Sequence, residues 1–153
     1  MIDSDPEVFP LVDEERTLAM GRAFADVLTA PRLIFLKGDL GAGKTTFVRG
    51  VIQGLGNMES VVSPTYTLVE EYITPEFLVH HLDLYRLSDP QELEGLGFRD
   101  RVGGKNVLFI EWPERAIEYL PDPDHLIELR YSGTGRTLSL YSSREDRPTL
   151  RVE

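Results

Sequence analysis

Leu33-Ile34-Phe35-Leu36-Lys37-Gly38-Asp39-Leu40-Gly41-Ala42-Gly43-Lys44-Thr45-Thr46-Phe47-Val48 is the stretch on which the fold turns. Its first four residues form an apolar run, which reads as a strand buried on both faces of a parallel sheet. Gly38 to Thr45 then fits G-x-x-x-x-G-K-[ST] without a gap. Glycines let backbone N–H groups curl around an anion in conformations that other residues avoid. The helix that follows aims its positive end at the same anion. In this motif Lys44 reaches the β- and γ-phosphates of a nucleotide and the Thr45 hydroxyl ligates Mg²⁺. Thr46 is placed to donate to the α-phosphate, and Gly41, Ala42 and Gly43 supply the cradle. Phe47, Val48, Val51, Ile52 and Leu55 give that helix an apolar stripe, with Gly54 and Gly56 placed to close it.

Working outward, Asp13–Thr29 has helical spacing with an N-cap at Asp13, and Pro31 breaks it before the strand Arg32–Lys37. Tyr66–Ile73 and Phe77–Tyr85 read as extended, with Pro75 between them, as the two arms of a hairpin of open register. Asp89-Pro90-Gln91-Glu92 has the form of a capping box, so a short helix through Leu96 is expected. Val107–Ile110 is a second buried strand ending at Glu111. Pro113 opens a helix to about Tyr119. Leu126–Tyr131 and Arg136–Tyr141 flank Ser132-Gly133-Thr134-Gly135, a closing hairpin. The fold class expected is α/β: a single P-loop NTPase-like domain over residues 1–153, with a mixed, mainly parallel central sheet flanked by helices. Residues 143–153 are polar and expected to fray.

A nucleotide site of this kind takes a carboxylate from the end of a neighbouring buried strand. Asp83 and Glu111 both qualify. Glu111 ends the more uniformly apolar strand, which should lie beside the P-loop strand, so it is the first choice as metal ligand or water positioner. Asp83 is the second, in direct contact with the metal or through water. Asp100-Arg101-Val102-Gly103 spells D-x-x-G but follows no buried strand, and no N-K-x-D stretch exists to read guanine. Adenine is therefore the expected base, and ATP with Mg²⁺ the expected ligand.

The chain has 153 residues, 26 acidic against 16 basic, for a formal net charge of −10. That balance argues against a free-standing DNA or RNA binder and against anionic membranes. With no cysteine, disulfides, zinc fingers and thiol nucleophiles are excluded. The longest apolar runs fall far short of a membrane span. Met1–Pro10 is acidic and holds Pro6 and Pro10, unlike a signal peptide. A cytoplasmic location is expected.

Beyond the P-loop, Ser63-Pro64-Thr65-Tyr66-Thr67-Leu68, His81-Leu82-Asp83-Leu84-Tyr85-Arg86 and Glu111-Trp112-Pro113-Glu114 occur in order. Together with Glu15-Arg16-Thr17-Leu18 and Gly135-Arg136, they make the chain resemble the TsaE (YjeE) family across most of its length. The resemblance implies a small bacterial ATPase required for threonylcarbamoyladenosine formation beside the tRNA anticodon. It implies work in a complex with TsaD-like and TsaB-like proteins, with TsaD transferring the threonylcarbamoyl group and tRNA met only through the complex. It carries the phosphate role to Lys44, the Mg²⁺ roles to Thr45 and Glu111, and a role in hydrolysis to Asp83. Trp112 and Arg115 match positions close to the nucleotide; Thr17 and Arg136 match positions bordering the adenine. Ser63–Leu68 becomes a switch-like loop instead of a plain proline turn. His81 reads on its own as a structural histidine. The alternative reading of the whole chain is a small-molecule P-loop kinase, for which Arg99-Asp100-Arg101 is the one candidate lid.

Overall fold

The computed structural model describes residues 2–57, 68–143 and 145–152. Seven strands form one sheet in the order β1-β7-β6-β2-β5-β4-β3. They are β1 (Glu7–Leu11), β2 (Arg32–Lys37), β3 (Val69–Ile73), β4 (Leu78–Asp83), β5 (Asn106–Glu111), β6 (His125–Ser132) and β7 (Gly135–Ser142). β6, β2, β5 and β4 run parallel, and antiparallel pairings add β3 at one edge and β7 and β1 at the other. The sheet is thus mixed with a parallel centre, as the P-loop stretch predicts.

β2 is central, and that explains its unbroken apolar run. Ile34 and Leu36 pack into one cluster with Phe24, Phe47, Val48 and Val51, while Leu33 and Phe35 pack into a second with Leu82, Leu93, Phe98 and Ile110. Both faces are covered, so alternation would bury polar groups. The first face carries α1 (Glu14–Val27) and α2 (Lys44–Gly54); the second carries α3 (Glu92–Gly95) and the 3-10 turns Phe98–Arg101 and Pro113–Tyr119.

Asp13 caps α1 by accepting from the Arg16 N–H at 2.8 Å. The helix ends at Val27, two residues short of the expected Thr29, because Leu28 is already extended. α2 closes at Gly56, whose N–H reaches the Gln53 carbonyl while the Asn57 N–H reaches that of Ile52. Gly54 serves another purpose. With Gly21 and Gly50 it forms the seam between the two helices: a Cβ on Gly21 would stand 2.3 Å from the Phe47 carbonyl oxygen, and one on Gly50 2.3 Å from that of Leu18.

Sequence reading missed β1, an edge strand containing Pro10 whose partner β7 lies at the far end of the chain. Proline is tolerated at such an edge. β3 begins at Val69; the earlier part of the expected strand, and Ser63–Thr67 of the proposed switch loop, lie outside the described residues. In the tail, Leu150 and Val152 pack against the first cluster, and Arg147 donates to the Asp5 carbonyl at 2.8 Å. Among the described residues no helix is long and apolar enough to cross a membrane.

Candidate functional site

The site grows from the C-terminal ends of three adjacent parallel strands. Leu36 on β2 is in register with Glu111 on β5, and Glu111 with Asp83 on β4. The chain leaves β2 through Gly38, where φ is +151° and a Cβ would stand 2.6 Å from the Leu129 carbonyl oxygen; only glycine fits. Gly43, at φ +108°, caps α2 without a side chain and leaves the helix start open.

Lys44 opens α2 and is 5% exposed. Its ammonium donates to the Gly38 carbonyl, lies 3.5 Å from Glu111 Oε1, and sits 4.8 Å from the centre of the Trp112 ring. The other carboxylate oxygen, Glu111 Oε2, accepts from His81 Nε2 at 2.6 Å. Asp83 Oδ1 accepts from the Tyr85 N–H at 2.9 Å. The two carboxyls are therefore pushed in opposite directions. Burial raises the Asp83 pKa, and the nearby Glu111 charge adds to it, against the Tyr85 bond. Burial also works to raise Glu111, but His81 and Lys44 outweigh it and hold Glu111 below its usual range. Such divergence of neighbouring carboxyls is how environments divide acid–base roles.

Two cavities meet at the loop, sharing Gly41, Gly43 and Thr46. One, of about 380 Å³, is lined by Lys44, Thr45, Asp83, Tyr85, Arg86 and Glu111. The other, of about 420 Å³, is lined by Leu11, Val12, Thr17, Ala42, Gly135 and Arg136 among others. The structure thus brings together Thr17, Gly41, Ala42, Gly43, Lys44, Thr45, Thr46, Asp83, Glu111 and Arg136. Trp112 and Arg115 line neither cavity. Trp112, at φ +57°, packs on Lys44 and meets the Tyr85 ring at 5.0 Å, tilted by 52°, and Arg115 lies 5.5 Å over the Tyr85 ring.

Tyr131 carries no sequence signal, yet its hydroxyl donates to the Leu40 carbonyl at 3.1 Å. Arg136 stacks over Tyr131 at 4.1 Å and donates to the Gly41 carbonyl at 3.4 Å, so the β6–β7 hairpin holds the loop. The lid candidate is tied down elsewhere. Arg101 bonds the Leu96 carbonyl, His80 and Glu71, and Arg99 pairs with Glu94.

The donor set suits a hard cation. Among the described residues no three His, Asp or Glu side chains form a ready-made cage. One hydroxyl, Thr45, and two carboxylates, Glu111 and Asp83, border a single cavity. Mg²⁺ is held in that way, by one or two carboxylates with phosphate oxygens and water completing the shell.

A buried parallel strand, a glycine loop opening a helix and acids on the neighbouring strand ends define a protein of the P-loop NTPase fold. The model of the family "Threonylcarbamoyl adenosine biosynthesis protein TsaE" matches residues 11–138. The chain belongs to the TsaE family. It is 44% identical over 133 residues to the tRNA threonylcarbamoyladenosine biosynthesis protein TsaE of Haemophilus influenzae, covering 84% of each chain. The TsaE protein of Bacillus subtilis is 37% identical over 122 residues, 80% of this chain and 76% of the relative. Among solved structures, the crystal structure of Bacillus subtilis YdiB superposes with a TM-score of 0.75 at 27% identity, over 95% of this chain and 89% of that one.

Proposed function

We propose that this chain is a Mg²⁺-dependent ATPase required for threonylcarbamoyladenosine modification of tRNA, working with TsaD-like and TsaB-like proteins. Family membership supports the pathway. The observation that carries the chemistry is the convergence of Lys44, Thr45, Asp83 and Glu111 on one cavity at the start of α2. Lys44 and the loop amides bind the phosphates, and Thr45 and Glu111 hold the cation. Mg²⁺, when bound, would supply positive charge that offsets the negative charge of the phosphates. Asp83, with its raised affinity for a proton, orients the attacking water and can accept from it. Thr17 and Arg136 border the base in the second cavity. Trp112 supports Lys44 from behind, and Arg115 acts through Tyr85. The bonds that occupy Arg101 favour hydrolysis over a kinase with a mobile arginine lid.

The test is phosphate release from ATP with Mg²⁺, alone and with the two partner proteins. Turnover should rise when the partners are added, and Lys44→Ala or Glu111→Ala should lower it at least a hundredfold, the usual scale for losing a group that stabilises transferred charge. No phosphate release even with both partners would end the ATPase reading. Labelled phosphate appearing on a small metabolite would replace it with a kinase.

A further inference from the structure

His80 and His81 are neighbours on β4 that point to opposite faces of the sheet, and only one is fully partnered. Arg101 donates to His80 Nδ1 at 2.9 Å and His80 Nε2–H donates to Asn106 Oδ1 at 2.8 Å, so both its nitrogens serve the fold. His81 is fully buried, and its Nδ1 has no hydrogen-bond partner among the described residues. An unmet buried nitrogen is a cost that a leucine at the same position would avoid. What a leucine could not supply is the 2.6 Å bond from Nε2–H to Glu111 Oε2.

We propose that His81 is a positioning residue that assigns the two oxygens of Glu111 to different tasks: it holds Oε2 and leaves Oε1 to face the α2 side of the site. Three observations carry this. A carboxylate only accepts, so the proton of the bond lies on Nε2. Oε1 is the oxygen nearest Lys44, at 3.5 Å, and hence the one on the phosphate side. Glu111 is itself only 4% exposed and His81 is fully buried, so the bond between them is largely shielded from solvent. Carboxylates that ligate metals depend on such outer partners, whose loss typically costs tenfold to a hundredfold in metal affinity. The inference rests on the Mg-ATP reading of this site.

The experiment compares ADP affinity in Mg²⁺ and in EDTA by calorimetry, for wild type, His81→Leu, His81→Asn and His81→Gln. Glutamine places an amide N–H near the imidazole Nε2 position, and asparagine falls short of it. The Mg²⁺-to-EDTA affinity ratio should fall about tenfold or more in His81→Leu and His81→Asn, and return to within a few-fold of wild type in His81→Gln. An undiminished ratio in His81→Leu overturns the inference while leaving the Mg-ATP reading intact. Failure of the wild type to bind ADP at all would instead remove that reading. Should the variants fail to fold, ¹⁵N NMR of the wild-type imidazole decides the matter. A proton on Nε2 supports the assignment, and an unprotonated Nε2 overturns it.

Discussion

Asp83 and Glu111 sit side by side yet answer to different neighbours, and substitutions should separate them. Asp83→Asn keeps the acceptor for the Tyr85 N–H but cannot take a proton from water. It should lower kcat about a hundredfold or more while KM stays within a few-fold, since general-base contributions run to ~10²–10⁴. A proportional loss of binding would argue that Asp83 holds the nucleotide instead. Glu111→Gln breaks the pairing with Lys44 and should raise the Mg²⁺ concentration for half-maximal turnover about tenfold. Both acids are legible in the sequence because each ends an apolar run. Their division of labour is not, since it depends on the burial of Asp83 and on His81 and Lys44 meeting Glu111 through the fold. The tie from Tyr131 to Leu40 is equally invisible, as it joins residues 91 positions apart.

Among elements, the α1–α2 seam decides where the phosphate-binding helix stands. Gly50→Ala removes a flexible residue from a helix, which alone should stabilise by about 1 kcal/mol. The new Cβ meets the backbone of Leu18, which cannot step aside as a side chain can. Overpacking of this kind costs about 1–3 kcal/mol, so the net effect should be a lower urea midpoint. Gly95→Ala, where nothing lies within 4 Å of the added carbon, should be neutral or slightly stabilising. Equal midpoints for the two variants would remove the seam as a constraint. The helices themselves are readable from periodicity, and Gly21 from its place on the apolar face of α1. That glycines of the two helices face each other is a tertiary fact. β1 escaped for the same kind of reason: its partner lies at the other end of the chain and its own pattern is broken by Pro10.

For the whole molecule, two buried histidines set the response to acid. Burial holds His80 below the usual histidine range, opposed by the Asn106 bond and reinforced by Arg101, with Glu71 nearby; burial and Arg32 do the same for His125. Because the folded values lie below the unfolded value of about 6.5, the unfolded chain takes up protons first as pH falls. Stability should therefore be flat above pH 7.5 and decline below about 6.5, read as a falling melting temperature. A melting temperature that rises toward pH 5.5 would contradict this. The net charge of −10 makes a second prediction: the proposed complex with TsaD-like and TsaB-like proteins should weaken steeply with added salt if it forms between this acidic chain and a basic surface. A salt-insensitive complex would point to an apolar interface. The register of Leu36, Glu111 and Asp83 across three strands has a mechanical consequence. The carboxylates ride on a hydrogen-bonded ladder and α2 is seated on a glycine seam, so the two acids move only with the sheet, and α2 moves only with α1 or by parting from it. The site is a vise with the sheet as one jaw and the α1–α2 pair as the other, and Lys44 reaches from the second to Glu111 on the first.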